Sequence, residues 1–271
     1  MSLSFVILTW NSINDINDCI ESILAKCREW DSPFSIYIVD NGSTDGTVEL
    51  LNEFEKKYPE INCTYLQKNT GTTYSRNVAL KKINSDYICI LDSDTILSKG
   101  SIKDILEYLA NHGDIGIAAP KIVFEDGSIQ NSVKKFPTLL EKIGKLFSIF
   151  GFIKYNTNDF YSDFPFETIK EVDTAISACW FIPGTILKEI GYLDENILYA
   201  PEDVDFSIRV WKANKKIVYY PDFEIIHKTK QISHSSPFSK LSRSHLTGLF
   251  YYFRKHKYWF SRKKVYTRLG K

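Results

Sequence analysis

Three acidic segments and one polar one carry most of the chemistry this chain offers. They are Thr9-Trp10-Asn11, Asp40-Asn41-Gly42-Ser43-Thr44-Asp45-Gly46, Asp92-Ser93-Asp94 and Glu202-Asp203-Val204-Asp205. In an extended Asp-x-Asp segment alternate side chains share a face. Asp92 and Asp94 therefore suit a hard divalent cation, or one suits a cation and the other a sugar hydroxyl. The same spacing also suits a plain Asp-rich turn. Asp40 stands where nucleotide-binding α/β folds place an acidic residue against hydroxyls or a base N–H. A helix cap is its other reading, but Asp45 is better placed to cap. Asn69-Thr70-Gly71-Thr72-Thr73 offers backbone N–H groups before a short helix, with Arg76 one turn in for a forked phosphate contact. Pro201 before Glu202 marks a helix start, where carboxylates are favoured and one can act as general base. His227 ends an apolar run, where a third ligand beside carboxylates or a structural histidine would each fit.

These groups need positioning, and the apolar pattern supplies it. Strands are predicted near 3–9, 35–40, 61–67, 86–91 and 115–120. Helices are predicted near 13–29, 43–58, 72–83 and 101–111. Alternation of this kind argues a parallel, doubly wound α/β sheet, Rossmann-like and flanked by helices. Ligands of such sheets bind where the strands end, which is where the acidic segments lie. The second half is less regular. It predicts a hairpin around Glu125-Asp126-Gly127 and a flap or acceptor-facing insertion over 139–170. A strand near 172–182, helices near 184–190 and 203–213, and strands near 216–220 and 223–227 follow. The division expected is a catalytic domain over 1–228, with a nucleotide-binding half to about 120 and an acceptor half over 121–228. A C-terminal extension covers 229–271.

The 271 residues are 44% hydrophobic, enough for one large or two small domains. The net charge of +1 conceals an asymmetry. Residues 228–271 hold twelve Lys or Arg and no acid, so the remainder sets 22 basic residues against 33 acidic ones. The basic stretch is interleaved with Phe250, Tyr251, Tyr252, Phe253, Tyr258, Trp259 and Phe260. That mixture suits an anionic membrane surface, with a helical cap on the catalytic domain or a homodimer contact as the other readings. No nucleic-acid recognition motif accompanies the charge. Five cysteines, an odd number without a CxxC pair, read as reduced, mostly buried thiols of a cytoplasmic protein. No apolar run reaches the roughly 20 residues a membrane helix needs. The expected location is cytoplasmic, with peripheral contact at the inner membrane face.

Val6-Ile7-Leu8-Thr9-Trp10-Asn11, Val39-Asp40 to Thr47, Asn69-x-Gly71 with Arg76-Asn77, Leu91-Asp92-Ser93-Asp94 and Glu202 to Asp205 occur in one order. In that order they resemble the family 2 glycosyltransferases of GT-A fold, especially bacterial rhamnosyltransferase-type members, over about residues 3–228. The resemblance implies an inverting transfer of a sugar from a UDP or dTDP sugar to a hydroxyl of a glycan or lipid-linked acceptor. It implies that Thr9, Trp10 and Asn11 line the nucleoside pocket and that Asp40 contacts the base. Asn69, Gly71 and Arg76 would flank base and phosphates. Asp92 would face the ribose and the metal, Ser93 would join the nucleotide site, and Asp94 with His227 would hold Mn²⁺ or Mg²⁺. Asp203 would be the catalytic base, with Glu202 and Trp180 near the acceptor. Asn41 departs from the second Asp of many relatives, and Trp180 stands in a stretch that is often Gly-rich. A degenerate sugar-nucleotide-binding scaffold is the non-enzymatic alternative. A sugar nucleotidyltransferase is a further one, weakened because no Gly-rich, basic loop follows the first strand.

Overall fold

The computed structural model describes residues 1–149, 160–161, 163–228 and 240–271. Residues 150–159 and 162 of the expected flap, and the first part of the extension, lie outside the described residues.

The first half forms as its periodicity demands. Strands β1 (Leu3–Thr9), β2 (Phe34–Asp40), β3 (Ile61–Tyr65) and β4 (Tyr87–Asp92) pair in parallel, in the order β3-β2-β1-β4. Helices α1 (Ile16–Trp30), α2 (Thr47–Lys57) and α3 (Thr72–Leu80) make the crossovers. Helix α1 buries Ile16, Cys19, Ile20, Ile23, Leu24 and Cys27, the i, i+3, i+4 stripe of a helix lying on a sheet. Each such Ile or Leu side chain contributes about 1.5–3 kcal/mol on burial. Asp45 ties α1 to α2: it accepts from the Ile13 and Thr47 amides and the Thr47 hydroxyl.

Beyond β4 the sheet departs from the purely parallel expectation. After Asp94 the chain re-enters it as β5 (Thr95–Lys99), then runs through α4 (Ile102–Asn111) to β6 (Ile115–Val123). The strand expected over 172–182 is three pieces: β8 (Lys170–Glu171), β9 (Thr174–Ala175) and β10 (Cys179–Pro183). Short β7 (Val133–Lys134) pairs with β9 in a separate ribbon. Strand β10 inserts antiparallel between β4 and β6. Last comes β11 (Lys216–His227), parallel to β6 and antiparallel to β5, with a register shift between Tyr220 and Glu224 where two strands were expected. The full order is β3-β2-β1-β4-β10-β6-β11-β5, with β8 on β11. The hairpin turn falls where expected, with Phe124 and Ser128 bonded across it.

Helices α5 (Leu139–Ile149), α6 (Thr185–Ile190), α7 (Glu202–Lys212), α8 (Lys240–His256) and α9 (Lys263–Leu269) complete the described chain. Two apolar layers sandwich the sheet. The second includes Trp180, Phe206, Val210 and Trp211 together with Leu249, Tyr252, Phe253, Tyr258 and Val265 of the extension. The inner face of α8 is thus part of the core. All five cysteines are free thiols.

Candidate active site

Register alone gathers the first groups. Thr9 of β1 lies opposite Asp40 of β2, and Leu8 lies opposite Asp92 of β4, so three neighbouring strands end together. Asp40 is buried, and its Oδ1 accepts from the Gly42 and Ser43 amides. Its Oδ2 and the Thr9 hydroxyl are buried without a hydrogen-bond partner among the described residues. Buried polar atoms are nearly always paired, so these two oxygens stand out at the strand ends. Trp10 is half exposed at the same rim. Asn11 holds the neighbouring loop, accepting from the Thr44 amide at 2.8 Å, and the hydroxyls of Ser12 and Ser93 meet at 3.0 Å.

Asn69 and Gly71 build the loop beside it. Asn69 Oδ1 accepts from Asn41, the Gly71 amide and the Tyr199 hydroxyl. Asn41 in turn accepts from Thr70. Gly71 has φ +87°, and a Cβ there would stand 2.5 Å from the Leu198 carbonyl. The close approach lets the Thr72 amide donate to that carbonyl at 2.7 Å, which ties the start of α3 to the segment leading into α7.

The antiparallel pairing of β5 with β11 completes an acidic cluster. It sets His227 opposite Thr95, and the Lys228 amide donates to the Asp94 carbonyl. His227 Nε2 then lies 3.2 Å from Asp94 Oδ1. One ligand atom each from Asp92, Asp94 and His227 fall within 4.8 Å of one another. Two carboxylate oxygens and an imidazole are a donor set that fits Mn²⁺ or Mg²⁺. His227 Nδ1 is 2.9 Å from Gln130 Oε1. With Nδ1 donating to that amide oxygen, a neutral ring turns its Nε2 lone pair toward a cation, and a protonated ring donates from Nε2 to Asp94. Burial pushes the Asp92 carboxyl up, and the Asp94 charge adds to this against Arg76. On His227 burial opposes protonation, but Asp94 and Asp92 outweigh it and raise the ring above its ordinary value. The Asp94 charge contributes to both shifts, behind burial in the case of Asp92.

Arg76 does not present the expected exposed fork. It is 2% exposed, and its guanidinium donates to the Ser177 hydroxyl at 2.8 Å, to the Ser177 carbonyl and to Asp92. It also lies 3.6 Å from Glu202. The physical reason is the polar inner face of α3. Thr73 donates to the Ile197 carbonyl, and Asn77 bonds both Leu193 and Glu195, so the whole helix face is drawn inward with Arg76. The cation is a buried strut joining the acidic cluster to the first turn of α7.

Glu202 also turns inward, accepting from the Ser177 hydroxyl at 3.0 Å. Burial, then the neighbouring Asp203 charge, lift its carboxyl to about 8, against the pull of Arg76. Its expected place beside the acceptor is therefore corrected to one beneath the site. Asp203, half-buried, instead lines an open pocket of about 210 Å³. Trp180 is corrected as well. It is fully buried and stacks on Phe206 at 5.6 Å, because β10 is a central strand. Gln130 and Ser177 escaped the sequence reading, since only tertiary pairing gives them partners. A cavity of about 420 Å³ lies at the opposite rim, around Ser85–Ile88 and Pro183–Lys188.

An α/β sheet whose strand ends gather a carboxylate cluster, with a helix-borne carboxylate nearby, has the layout of a GT-A fold. Comparison with known proteins gives the family. The model for glycosyl transferase family 2 matches residues 4–191, and the chain belongs to that family. It is similar to an N-acetylglucosaminyl-diphospho-decaprenol L-rhamnosyltransferase of Mycobacterium tuberculosis, with 23% identity over 84% of this chain and 77% of the relative. It is similar also to the Staphylococcus aureus poly(ribitol-phosphate) β-N-acetylglucosaminyltransferase TarS, 29% identical over half of this chain but only 24% of that protein. The structure of TarS 1–349 with UDP superposes with a TM-score of 0.58 and 20% identity, covering 98% of this chain and 75% of the other. GalNAc-T7 with UDP, GalNAc and Mn²⁺ gives a TM-score of 0.66 at 14% identity, over 99% and 57%.

Proposed function

We propose that this glycosyltransferase moves a sugar, with inversion, from a UDP or dTDP sugar to a hydroxyl of a glycan or lipid-linked acceptor in cell-surface polysaccharide synthesis. The observation that carries this reading is the linkage of Asp92, Asp94 and His227 through Arg76 to the helix bearing Asp203. In it, Asp203 accepts the proton of the acceptor hydroxyl as that oxygen attacks the anomeric carbon. The bond from that carbon to the diphosphate breaks, and its electron pair leaves with the diphosphate. Asp40 Oδ2 and Thr9 Oγ1 take up the nucleoside, with Trp10 as a stacking face. Asn11, Asn69, Gly71 and Ser93 hold the loops that shape this pocket. A Mn²⁺ or Mg²⁺ held by Asp92, Asp94 and His227 would supply neutralisation of the diphosphate charge. The M. tuberculosis and S. aureus relatives support the acceptor class, since their names specify a lipid diphosphate and a polymer phosphate. Removing divalent cations with EDTA should lower sugar-nucleotide turnover about 100-fold, and Mn²⁺ should restore it. Full turnover in EDTA would refute the metal reading.

Peripheral membrane contact is part of the same proposal. Leu140 and Ile143 of α5, Leu246 and Phe250 of α8, and Phe260 are exposed. They are neighbours: the Leu139 amide donates to the Trp259 carbonyl, and the Phe250 and Trp259 rings lie 5.5 Å apart. Exposed Arg254, Lys257, Lys263 and Lys264 share the extension. No described helix is long and apolar enough to cross a membrane. The intact chain should co-sediment with phosphatidylglycerol vesicles, and L246D/F250D should release it. Deleting the extension would be a poor test, because Tyr252, Phe253 and Tyr258 are core residues.

A further inference from the structure

We infer that Gln130 is the positioning residue that makes His227 a metal ligand, and that it thereby favours Mn²⁺ over Mg²⁺ at this site. This rests on the reading of Asp92, Asp94 and His227 as the ligands. The backbone around the cluster is already pinned. The Thr95 hydroxyl donates to the Asp92 carbonyl at 2.7 Å, and the Lys228 amide donates to the Asp94 carbonyl at 2.8 Å. Arg76 holds the Asp92 carboxylate. Rotation of the His227 imidazole is the freedom that matters next. Its Nε2 lies 3.2 Å from Asp94 Oδ1, and its Nδ1 lies 2.9 Å from Gln130 Oε1. These two contacts are not equivalent. A ring nitrogen that ligates a cation carries no hydrogen, so Nε2 cannot then donate to Asp94. The contact to Gln130 survives ligation, because the amide oxygen accepts and Nδ1 keeps its hydrogen. With a cation bound, Gln130 is the side chain among the described residues that still fixes the tautomer and the ring plane.

The fold delivers Gln130 by a route of its own. Strand β6 runs parallel to β11, with Ile122 opposite Ile225 and Val123 opposite Ile226. The chain then turns at Asp126-Gly127. Asp126 Oδ1 accepts from the Ser128 amide at 2.9 Å and from its hydroxyl at 2.6 Å. Ile129 bridges back to Val123, and the Gln130 amide donates to the Ile122 carbonyl at 2.9 Å. Gln130 thus reaches the end of β11 from a hairpin that supplies none of the three ligands. The consequence for metal choice is chemical. Mg²⁺ takes oxygen ligands and keeps several waters. An imidazole nitrogen is a softer donor, which transition ions accept more readily. A ring fixed with its lone pair toward the cation therefore adds more to Mn²⁺ binding than to Mg²⁺ binding. A ring free to turn leaves two carboxylates that either ion accepts.

The test titrates the full chain with Mn²⁺, with and without UDP. Unbound ion is counted by EPR spectroscopy against a blank of UDP without protein, and Mg²⁺ is measured by competition. Q130M keeps the length of the side chain and removes the accepting oxygen, whereas Q130E keeps an acceptor. Q130M should weaken Mn²⁺ binding about 10–100-fold, the usual cost of losing such a partner, and Mg²⁺ binding by clearly less. Q130E should bind Mn²⁺ at least as tightly as the wild type. Melting temperatures should be alike in all three, which shows that the hairpin folds. Unchanged Mn²⁺ affinity in Q130M would overturn the inference. An equal loss of both ions would overturn it too, because the hairpin and not the ring would then have moved. So would a loss in Q130E as large as that in Q130M. D94N tests the metal reading separately and should lose both ions. Undiminished binding of both by D94N would remove that reading and this inference with it. Loss in D94N beside full Mn²⁺ affinity in Q130M would remove this inference alone.

Discussion

Asp203→Asn is expected to lose about 10²–10⁴-fold in transfer, the usual contribution of a positioned general base. Nucleotide binding and melting temperature should stay near their starting values. The substitution keeps shape, and the Asp203 oxygen that accepts from the Val204 amide at 2.8 Å has an equivalent in Asn. Glu202 is no substitute. Its carboxyl faces Ser177 and Arg76 rather than the pocket. The measurements are product formation at saturating donor, and UDP titration of the same preparation. Near-normal turnover in Asp203→Asn would remove the base assignment. A parallel loss of UDP affinity would show that the side chain serves the donor site instead.

The legibility of this site follows from how each group is positioned. Thr9, Asp40 and Asp92 were readable because parallel strands in register bring their ends together whatever the details of packing. His227 lies at the cluster through a long-range pairing that no local pattern specifies: β5 starts at the residue after Asp94, and its partners on β11 lie 125–132 positions on. Strand β10 read as part of a longer run because its neighbours are also apolar, and its insertion between β4 and β6 is a tertiary choice. That choice decided Trp180, which a central strand must bury. Arg76 was misread for a related reason. Charged residues are seldom fully buried unless paired, and its partners Asp92 and Ser177 come from two other strand ends. The extension read equally as cap or membrane face from composition. In the structure one side of α8 packs into the core and the other exposes Leu246 and Phe250.

The acidic patch at α7 hides a division of labour that leads to a second large effect. Residues two apart on an α-helix point about 200° away from each other. Asp203 lines the pocket, so Asp205 faces the opposite way, into the junction with α8. It is fully buried, accepting from Arg209 at 2.9 Å, from His256 Nε2 at 2.8 Å and pairing with Lys255 at 2.6 Å. Lys212 meets His256 Nδ1 at 3.0 Å. Lysine can only donate there, so Nδ1 accepts, Nε2 carries the proton toward Asp205, and the ring is neutral. Burial lowers the His256 pKa further than Asp205 raises it. For Asp205 burial works upward, but His256, Arg209 and Lys255 together hold the carboxyl well below its ordinary value.

Asp205→Ala should therefore cost about 3–5 kcal/mol, because it removes the buried carboxylate that Arg209, Lys255 and His256 share. That corresponds to a fall of roughly 10 °C in melting temperature for a chain of this size. The pH dependence has a fixed sign. Both groups bind a proton more readily unfolded than folded. His256 contributes stability present above about pH 6.5 and lost as pH falls below it, and Asp205 contributes stability lost as pH falls below about 4. Thermal melts of the wild type from pH 8 to pH 3 should decline in those two windows. Asp205→Ala should start lower and lose less through the acid window. A variant that melts with the wild type at pH 7 would show that α8 is held to the catalytic body by its apolar face alone.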